Sequence, residues 1–290
     1  MPYRQRCGIL FKERGAVQAP PPETEKFLPP GSCASGTRLR IVRSLKMRRR
    51  VLILCSEKDM KKLFSYFSPA EWALWGGSLL LIILSFALFD RANYLTLAAS
   101  LVGATSLIFC AKGNPIGQAL MIAFSILYGI ISYTFAYYGE MITYLGMTMP
   151  MAIFALVAWL RHPYKGKRSQ VQVNRLKWKE YALMFAAAVA VTVAFYFILD
   201  AFHTANIVPS TISVTTSFIA VYLTFRRSPL YALAYAANDV VLIVLWVLAS
   251  LEDISYLSVV ICFAMFLVND LYGYFNWTRM RKSQTQDERA

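Results

Sequence analysis

Long uninterrupted runs of apolar residues fill the chain from residue 70 onward, separated by short charged or Gly/Pro-containing breaks. A helix needs about 20 apolar residues to cross the hydrocarbon core of a bilayer. Backbone groups find no hydrogen-bond partners in lipid, and these runs lack the alternation of barrel strands, so they predict helices. The runs lie at about 72–89, 94–111, 115–138, 141–160, 181–199, 207–225, 229–250 and 254–275.

The composition agrees with a chain that lies mostly within a lipid bilayer. Of its 290 residues, 57% are hydrophobic and only 16% are charged, and the mean hydropathy is +0.46. Soluble domains carry about 25% charged residues, so an ordinary soluble protein is excluded. We predict an all-α integral membrane protein with eight transmembrane helices in the plasma (inner) membrane.

The basic residues predict the orientation of these helices. If the N-terminus is cytoplasmic, that side of the membrane receives 16 of the 17 Lys and Arg residues from residue 60 onward, and only Arg91 lies outside. Cytoplasmic loops of membrane proteins carry such an excess of positive charge. We therefore expect both termini in the cytoplasm.

Residues 1–59 form a separate, Pro-rich segment with 13 basic and 5 acidic residues. The segment has no nucleic-acid-binding motif, so we expect no nucleic-acid partner. It is either disordered or not translated, the native chain then starting at Met60. The membrane domain is expected at 60–282, followed by a cytoplasmic tail at 283–290.

No cofactor or metal site is expected from the cysteine and histidine residues. The five cysteines include no CxxC pair, and His162 and His203 lie 41 residues apart in predicted loops. The sequence also lacks a nucleophile paired with a base, so we expect that the protein is not an enzyme.

Four landmarks recur in the same order along the chain. Asn93, Pro115, Glu140 and Tyr144 in the first half correspond to Asn206, Pro229, Glu252 and Tyr256 in the second, at offsets of 113, 114, 112 and 112 residues. The recurrence predicts two three-helix units, at 92–160 and 205–276, joined by a linker helix at 181–199 and preceded by one additional helix. One helix between the units makes them a parallel repeat, an arrangement typical of transporters.

Polar residues inside the predicted spans mark the candidate binding site. Asp239 and Trp246 share one face of the seventh span, and a carboxylate at that depth favours a cavity. Asp270 in the eighth span either lines the cavity or pairs with Arg226 or Arg279. Aromatic rings bind flat or cationic groups, amides recognise hydroxyls, and the spans contain no basic cluster for a phosphate. An unphosphorylated nucleoside is the expected substrate.

Four segments carry a family resemblance, namely KGNPIGQ (112–118), YGIISYTFAYYGEMITYLG (128–146), NDVVLIVLW (238–246) and VNDLYGYFNWTRM (268–280). Over residues 70–282 the chain resembles the PnuC family of bacterial vitamin transporters, whose best-known members carry nicotinamide riboside. The resemblance implies a SWEET-like core of three helices, a linker and three more helices, and a homotrimer. It also implies facilitated diffusion, with a cytoplasmic riboside kinase trapping the substrate.

The resemblance also places substrate-binding residues on the aromatic and amide positions of these segments. Together with Asp239 they are Gln118, Tyr128, Asn238, Trp246, Asn269, Tyr272 and Asn276. The chain departs from the family at one position, because Ile243 stands where members carry a second tryptophan three residues from Trp246.

Two alternatives remain open from the sequence. The first is a proton-coupled carrier of thiamine, riboflavin or a deoxynucleoside, with Asp239 as the proton site. The second is a membrane enzyme or signalling protein.

Overall fold

A computed structural model of the chain describes residues 66–134, 138–204 and 206–289, so the predicted segment 1–59 lies outside the described residues. The described part contains eight helices long and apolar enough to span a membrane, which confirms the predicted fold class. They are α1 Pro69–Phe89, α2 Tyr94–Ala111, α3 Pro115–Thr134, α4 Tyr138–Ile142 continued by Thr143–Thr148 and Met149–Arg161, α5 Trp178–Ala201, α6 Ile207–Phe225, α7 Leu230–Ser250 and α8 Leu257–Arg289.

Three features go beyond the predicted spans. Part of α4, Thr143–Thr148, is a π-helix. A two-stranded hairpin of β1 Pro163–Tyr164 and β2 Lys167–Val171 occupies the loop between α4 and α5. Helix α8 continues to Arg289, through residues predicted as a tail.

Local sequence explains how α1 starts. The hydroxyl of Ser68 accepts a hydrogen bond from the N–H of Glu71 at 3.3 Å, and the Glu71 carboxylate accepts one from the N–H of Ser68 at 2.7 Å. This capping box satisfies two backbone donors that the first turn would leave unpaired. Glu71 also forms an ion pair of 2.8 Å with Lys112, which ties α1 to the turn after α2.

Six of the helices form a closed ring through their packing contacts, in the order α2, α3, α4, α6, α7, α8 and back to α2. Helix α1 packs outside this ring against α2 and α8, and α5 packs against α6. The outer faces expose large apolar side chains such as Leu80 on α1 and Val189 on α5, as contact with lipid requires. The ring supports the predicted arrangement of one additional helix, two triplets and a linker, which stays a prediction.

The turns that follow α2 and α6 have the same backbone structure. Gly113 and Arg227, 114 residues apart, both have positive φ, at 67° and 57°. Their carbonyls accept equivalent hydrogen bonds from the α4–α5 connection: Val171 N–H donates to Gly113 at 2.9 Å and Asn174 N–H donates to Arg227 at 3.0 Å. The α4–α5 connection therefore binds the first turn of each predicted triplet.

Two buried tryptophans link the triplets reciprocally. The indole N–H of Trp277 in α8 donates to the Cys110 carbonyl of α2 at 2.8 Å, and that of Trp159 in α4 donates to the Thr224 carbonyl of α6 at 3.0 Å. The rings of Trp159 and Trp277 meet with centroids 5.3 Å apart. Each predicted triplet thus binds the other through an equivalent pair of groups, which supports the predicted repeat.

We expect Gly117→Ala to prevent close packing of α3 on α2. A Cβ atom at Gly117 would lie 2.6 Å from the Cys110 backbone nitrogen and 2.9 Å from the Ser106 carbonyl oxygen. Overpacking of this kind costs about 1–3 kcal/mol and more where backbone must move. The melting temperature in detergent should fall for Gly117→Ala and stay unchanged for the control Gly76→Ala, where a Cβ meets nothing within 4 Å. Equal melting temperatures for both variants would contradict this packing.

Candidate functional site

The two ends of the ring carry different charges. One end, here the acidic end, contains the α1–α2, α3–α4, α5–α6 and α7–α8 connections, with Asp90, Glu140 and Asp253. The opposite end, the basic end, contains the hairpin, the α6–α7 turn and the end of α8. The candidate site lies at the acidic end.

A cavity of about 100 Å³, the acidic-end cavity, opens between the predicted triplets. Side chains from α2, α3, α4, α7 and α8 line it, so both triplets contribute. The lining residues are Asp90, Asn93, Thr96, Tyr128, Ile131, Ser132, Glu140, Trp246, Asp253, Ser255, Tyr256 and Val259.

Aromatic rings form two walls of the acidic-end cavity. On one wall Trp246 of α7 packs against Tyr256, with centroids 5.4 Å apart. On the other, Tyr128 of α3 packs against Tyr144 of α4 at 4.4 Å, backed by Phe124. Tyr256 thus supplies an aromatic neighbour for Trp246. These rings offer stacking surfaces for a flat ligand.

Three carboxyl groups surround the same space. Asp90 is buried, and its Oδ1 accepts a 2.7 Å hydrogen bond from the amide of Asn93. A hydrogen bond from the N–H of Ser255 holds the pKa of Asp253 below its usual value, so this exposed carboxylate is charged at neutral pH. Glu140 completes the set, and the described lining residues include no Lys or Arg. The cavity therefore favours cations over anions.

Ser132 is a small residue in the lining of the acidic-end cavity. Its side chain is 2% exposed, and its hydroxyl has no hydrogen-bond partner among the described residues. An unpartnered buried hydroxyl is costly unless a ligand or water binds it. Ser132 precedes Trp246 by 114 residues, which matches the offset of the predicted repeat, so the predicted repeat pairs this small side chain with the indole.

A second cavity of about 30 Å³, the α6 cavity, adjoins the first. Glu140 lines both cavities, and the π-helical segment Thr143–Thr148 begins three residues after it. π-Helical segments inside α-helices are frequent at functional sites. Glu140 therefore lies at the boundary between the two cavities.

The structure brings only two of the residues predicted from the sequence, Tyr128 and Trp246, into the acidic-end cavity. Asn238 is buried, and its Oδ1 accepts hydrogen bonds from Ser213, Thr216 and Ser217 of α6 at 3.2, 2.8 and 3.1 Å. In this conformation Asn238 links α7 to α6, behind the α6 cavity that Ser213 and Ser217 line.

The remaining predicted polar residues contact other helices nearer the basic end. Their amide or hydroxyl groups donate hydrogen bonds of 2.8–3.2 Å, as helix-linking groups do. Gln118 donates to Cys110 Sγ, Asn269 to Ser78 Oγ, Tyr272 to Glu71 Oε1 and Asn276 to the Ala111 carbonyl. Their predicted contact with substrate stays a prediction.

The carboxyl groups of Asp239 in α7 and Asp270 in α8 are both buried and neighbour each other. The alternative pairing of Asp270 with Arg226 or Arg279 is not among the ion pairs of the described residues, and Arg226 pairs instead with Glu180. The second oxygen of Asp239, Oδ2, has no partner among the described residues. Two neighbouring buried carboxylates repel each other, so the charge of the pair is a cost that a proton or a cation would reduce.

A ring of lipid-exposed helices around a polar, aromatic-lined cavity defines a membrane transport protein. The family model for nicotinamide mononucleotide transporters matches residues 93–279. The chain belongs to this family, the PnuC transporters, which confirms the resemblance seen in the sequence and the expectation that the protein is a transporter and not an enzyme.

Two relatives show how far the similarity extends. The chain is 27% identical over 201 residues to the nicotinamide riboside transporter PnuC of Neisseria mucosa, covering 67% of this chain and 75% of the relative. It is also similar to the crystal structure of the vitamin B3 transporter PnuC, with a TM-score of 0.65 and 24% identity, over 75% of this chain and 94% of that one. The structural match shows a shared fold.

Proposed function

We propose that this protein carries nicotinamide riboside, or a closely related unphosphorylated nucleoside or vitamin, across the plasma membrane. The observation that supports this most is the acidic-end cavity, where Tyr128, Trp246 and Tyr256 lie beside three carboxyl groups. Nicotinamide riboside joins a flat pyridinium cation to a hydroxylated sugar. Aromatic faces and carboxylates both attract such a cation.

The polar groups of the cavity match the rest of this substrate. Ser132 and Asn93 provide a hydroxyl and an amide that hydrogen-bond to ribose hydroxyls or to the carboxamide. The volume of about 100 Å³ is smaller than the roughly 300–1,000 Å³ of most ligand pockets. Substrate entry therefore requires the cavity to widen, and Glu140 at the boundary with the α6 cavity is the side chain that moves.

The proposed mode of transport is facilitated diffusion. The acidic end faces outward, because the basic end carries the positive charge that marks the cytoplasmic side, and both termini are cytoplasmic. A cytoplasmic kinase that phosphorylates the riboside would make uptake directional, since the described lining of the cavity has no basic residue to accept a phosphate. The family resemblance further suggests a homotrimer, which native mass spectrometry can measure.

Uptake into proteoliposomes tests the proposed substrate. Labelled nicotinamide riboside should enter in a saturable manner, and excess unlabelled riboside should compete more effectively than nicotinamide mononucleotide, thiamine or riboflavin. The phosphate makes the mononucleotide the poorest competitor, because it meets carboxylates at the cavity. Empty liposomes serve as the control. Absence of saturable riboside uptake, or equal competition by the mononucleotide, would refute the proposed substrate.

The Asp239–Asp270 pair favours one alternative, proton-coupled transport, because two buried carboxyl groups lie next to each other within the membrane-spanning helices and a proton would relieve their repulsion. Facilitated diffusion predicts that substrate equilibrates without a pH gradient, that a protonophore has no effect, and that Asp239→Asn retains uptake. Coupling predicts accumulation above the outside concentration under an inward proton gradient, lost with the protonophore and in Asp239→Asn. Uptake measured with and without the gradient decides between the two.

A further inference from the structure

A cavity of about 630 Å³, the basic-end cavity, opens at the opposite end of the protein from the acidic-end cavity. It lies between the α4–α5 connection, the start of α7 and the extension of α8. Its volume falls within the roughly 300–1,000 Å³ of small-molecule sites. Nothing in the transport mechanism above uses it.

Three basic side chains, Arg175, Arg281 and Lys282, line the basic-end cavity, and the described lining includes no acidic residue. Arg281 and Lys282 are exposed and form no ion pair with any described residue. Arg175 is positioned by a 2.8 Å hydrogen bond from its Nη2 to the hydroxyl of Thr285 in α8. All three cations therefore remain available to an anion.

The neighbouring acidic residues are engaged elsewhere. Glu180 pairs with Arg226. On α8, Asp287 pairs with Lys165 of the hairpin at 2.9 Å, and Glu288 accepts a hydrogen bond from Gln172 at 3.4 Å. None of these carboxylates lines the cavity, so the charged groups in its wall are all basic.

The α4–α5 connection, which carries Arg175, is held against α8 by hydrogen bonds in the absence of a ligand. Gln284 of α8 is buried, with 5% exposure. Its side chain accepts a hydrogen bond from the N–H of Val173 at 2.8 Å and donates one to the carbonyl of Val171 at 3.1 Å. Because these bonds hold the connection against α8, the basic groups need little reorganisation to bind together.

Apolar side chains complete the cavity beside the charges, namely Leu176, Tyr181 and Leu230. The adjacent Trp178, at the start of α5, is 83% exposed and marks the membrane interface, where tryptophans concentrate. The cavity thus offers cations and an apolar wall to a ligand that reaches this interface.

We propose that the basic-end cavity binds a phosphate-bearing molecule through Arg175, Arg281 and Lys282. Arginine binds phosphate oxygens in a bidentate manner and lysine binds them as a point charge. The phosphate belongs either to the headgroup of an anionic phospholipid or to a soluble phosphate monoester on that side of the membrane. This proposal does not depend on the substrate that the protein transports.

Binding to purified protein in a neutral detergent tests the proposal. One arm titrates adenosine monophosphate by calorimetry, and the other titrates phosphatidylglycerol against phosphatidylcholine by native mass spectrometry. The variant Arg281→Ala/Lys282→Ala removes two cavity charges. Its control, Lys167→Ala/Arg168→Ala, removes two exposed charges from β2 at the same end but outside the cavity.

At least one probe should bind the wild type saturably, and the cavity variant should weaken that binding about tenfold or more, whereas the control changes it by less than about twofold. The probe that saturates identifies the source of the phosphate. The proposal is overturned if neither probe binds saturably, or if the two double variants weaken binding equally, because binding would then reflect diffuse charge. Melting temperatures establish that both variants are folded.

Discussion

Replacing Trp246 by leucine is expected to raise the KM for nicotinamide riboside uptake into proteoliposomes by about 100-fold. Leucine retains apolar bulk but has no flat aromatic face, so the ligand loses its stacking surface opposite Tyr128 and next to Tyr256. Stacking of a base on an aromatic side chain contributes about 1–3 kcal/mol, or roughly 5- to 150-fold in affinity. Trp246 is the only tryptophan in the described cavity lining, so we expect a loss of affinity in the upper part of that range.

Two further variants separate this effect from a loss of folding. Trp246→Phe keeps an aromatic face and should retain saturable uptake with a raised KM. Trp246→Ala also leaves a void and costs about 3–5 kcal/mol of stability, so it is the less informative change. Saturable uptake by a folded Trp246→Leu protein at the wild-type KM would show that the indole does not contact the substrate.

Replacing Ser132 by tryptophan is expected to block transport by filling the cavity from the other triplet. The predicted repeat pairs position 132 with position 246, and both side chains line the acidic-end cavity. A second indole occupies a volume comparable to the whole acidic-end cavity of about 100 Å³. We expect no measurable binding of nicotinamide riboside by calorimetry and no saturable uptake.

The matched variant at the same position is Ser132→Ala. It removes a hydroxyl that has no hydrogen-bond partner in the described part of the chain, so the melting temperature should stay the same or rise. Binding should weaken by about 1 kcal/mol, or roughly fivefold, if the hydroxyl contacts the ligand. Normal transport by a folded Ser132→Trp protein would place the substrate outside this cavity.

The sequence predicted the membrane-spanning helices well because backbone groups in lipid must form their hydrogen bonds within the segment. Spans 94–111 and 207–225 have the same bounds in the structure, since charged or proline-containing turns end each apolar run. The π-helical turn at Thr143–Thr148 could not be predicted, because nothing in its composition distinguishes it from α-helix.

The site was predicted only in part. Tyr128 was predicted from the family resemblance, and Trp246 from that resemblance and from the helix face that it shares with Asp239. Asn269 and Asn276 have the same chemistry, yet they bond to Ser78 and Ala111 of other helices. A buried amide serves equally well as a ligand contact or a link between helices, and only the tertiary contacts distinguish the two uses.

Two residues beside the cavity stood out in the sequence, but only as landmarks of the predicted repeat. Tyr144 and Tyr256 were recognised as repeat landmarks, and the structure places both beside the cavity. Residues that a repeat retains near its pseudo-symmetry axis are candidates for the central site. The pairing of Asp270 with Asp239 gave no such signal, because sequence reasoning favours pairs of opposite charge.

The most direct test of the central claim is a crystal or cryo-electron microscopy structure of the protein with nicotinamide riboside bound. The account predicts the pyridinium ring between Trp246 and Tyr128 and the ribose near Ser132, with Glu140 displaced. Density for the riboside anywhere else in the protein, with the acidic-end cavity unchanged, would contradict it.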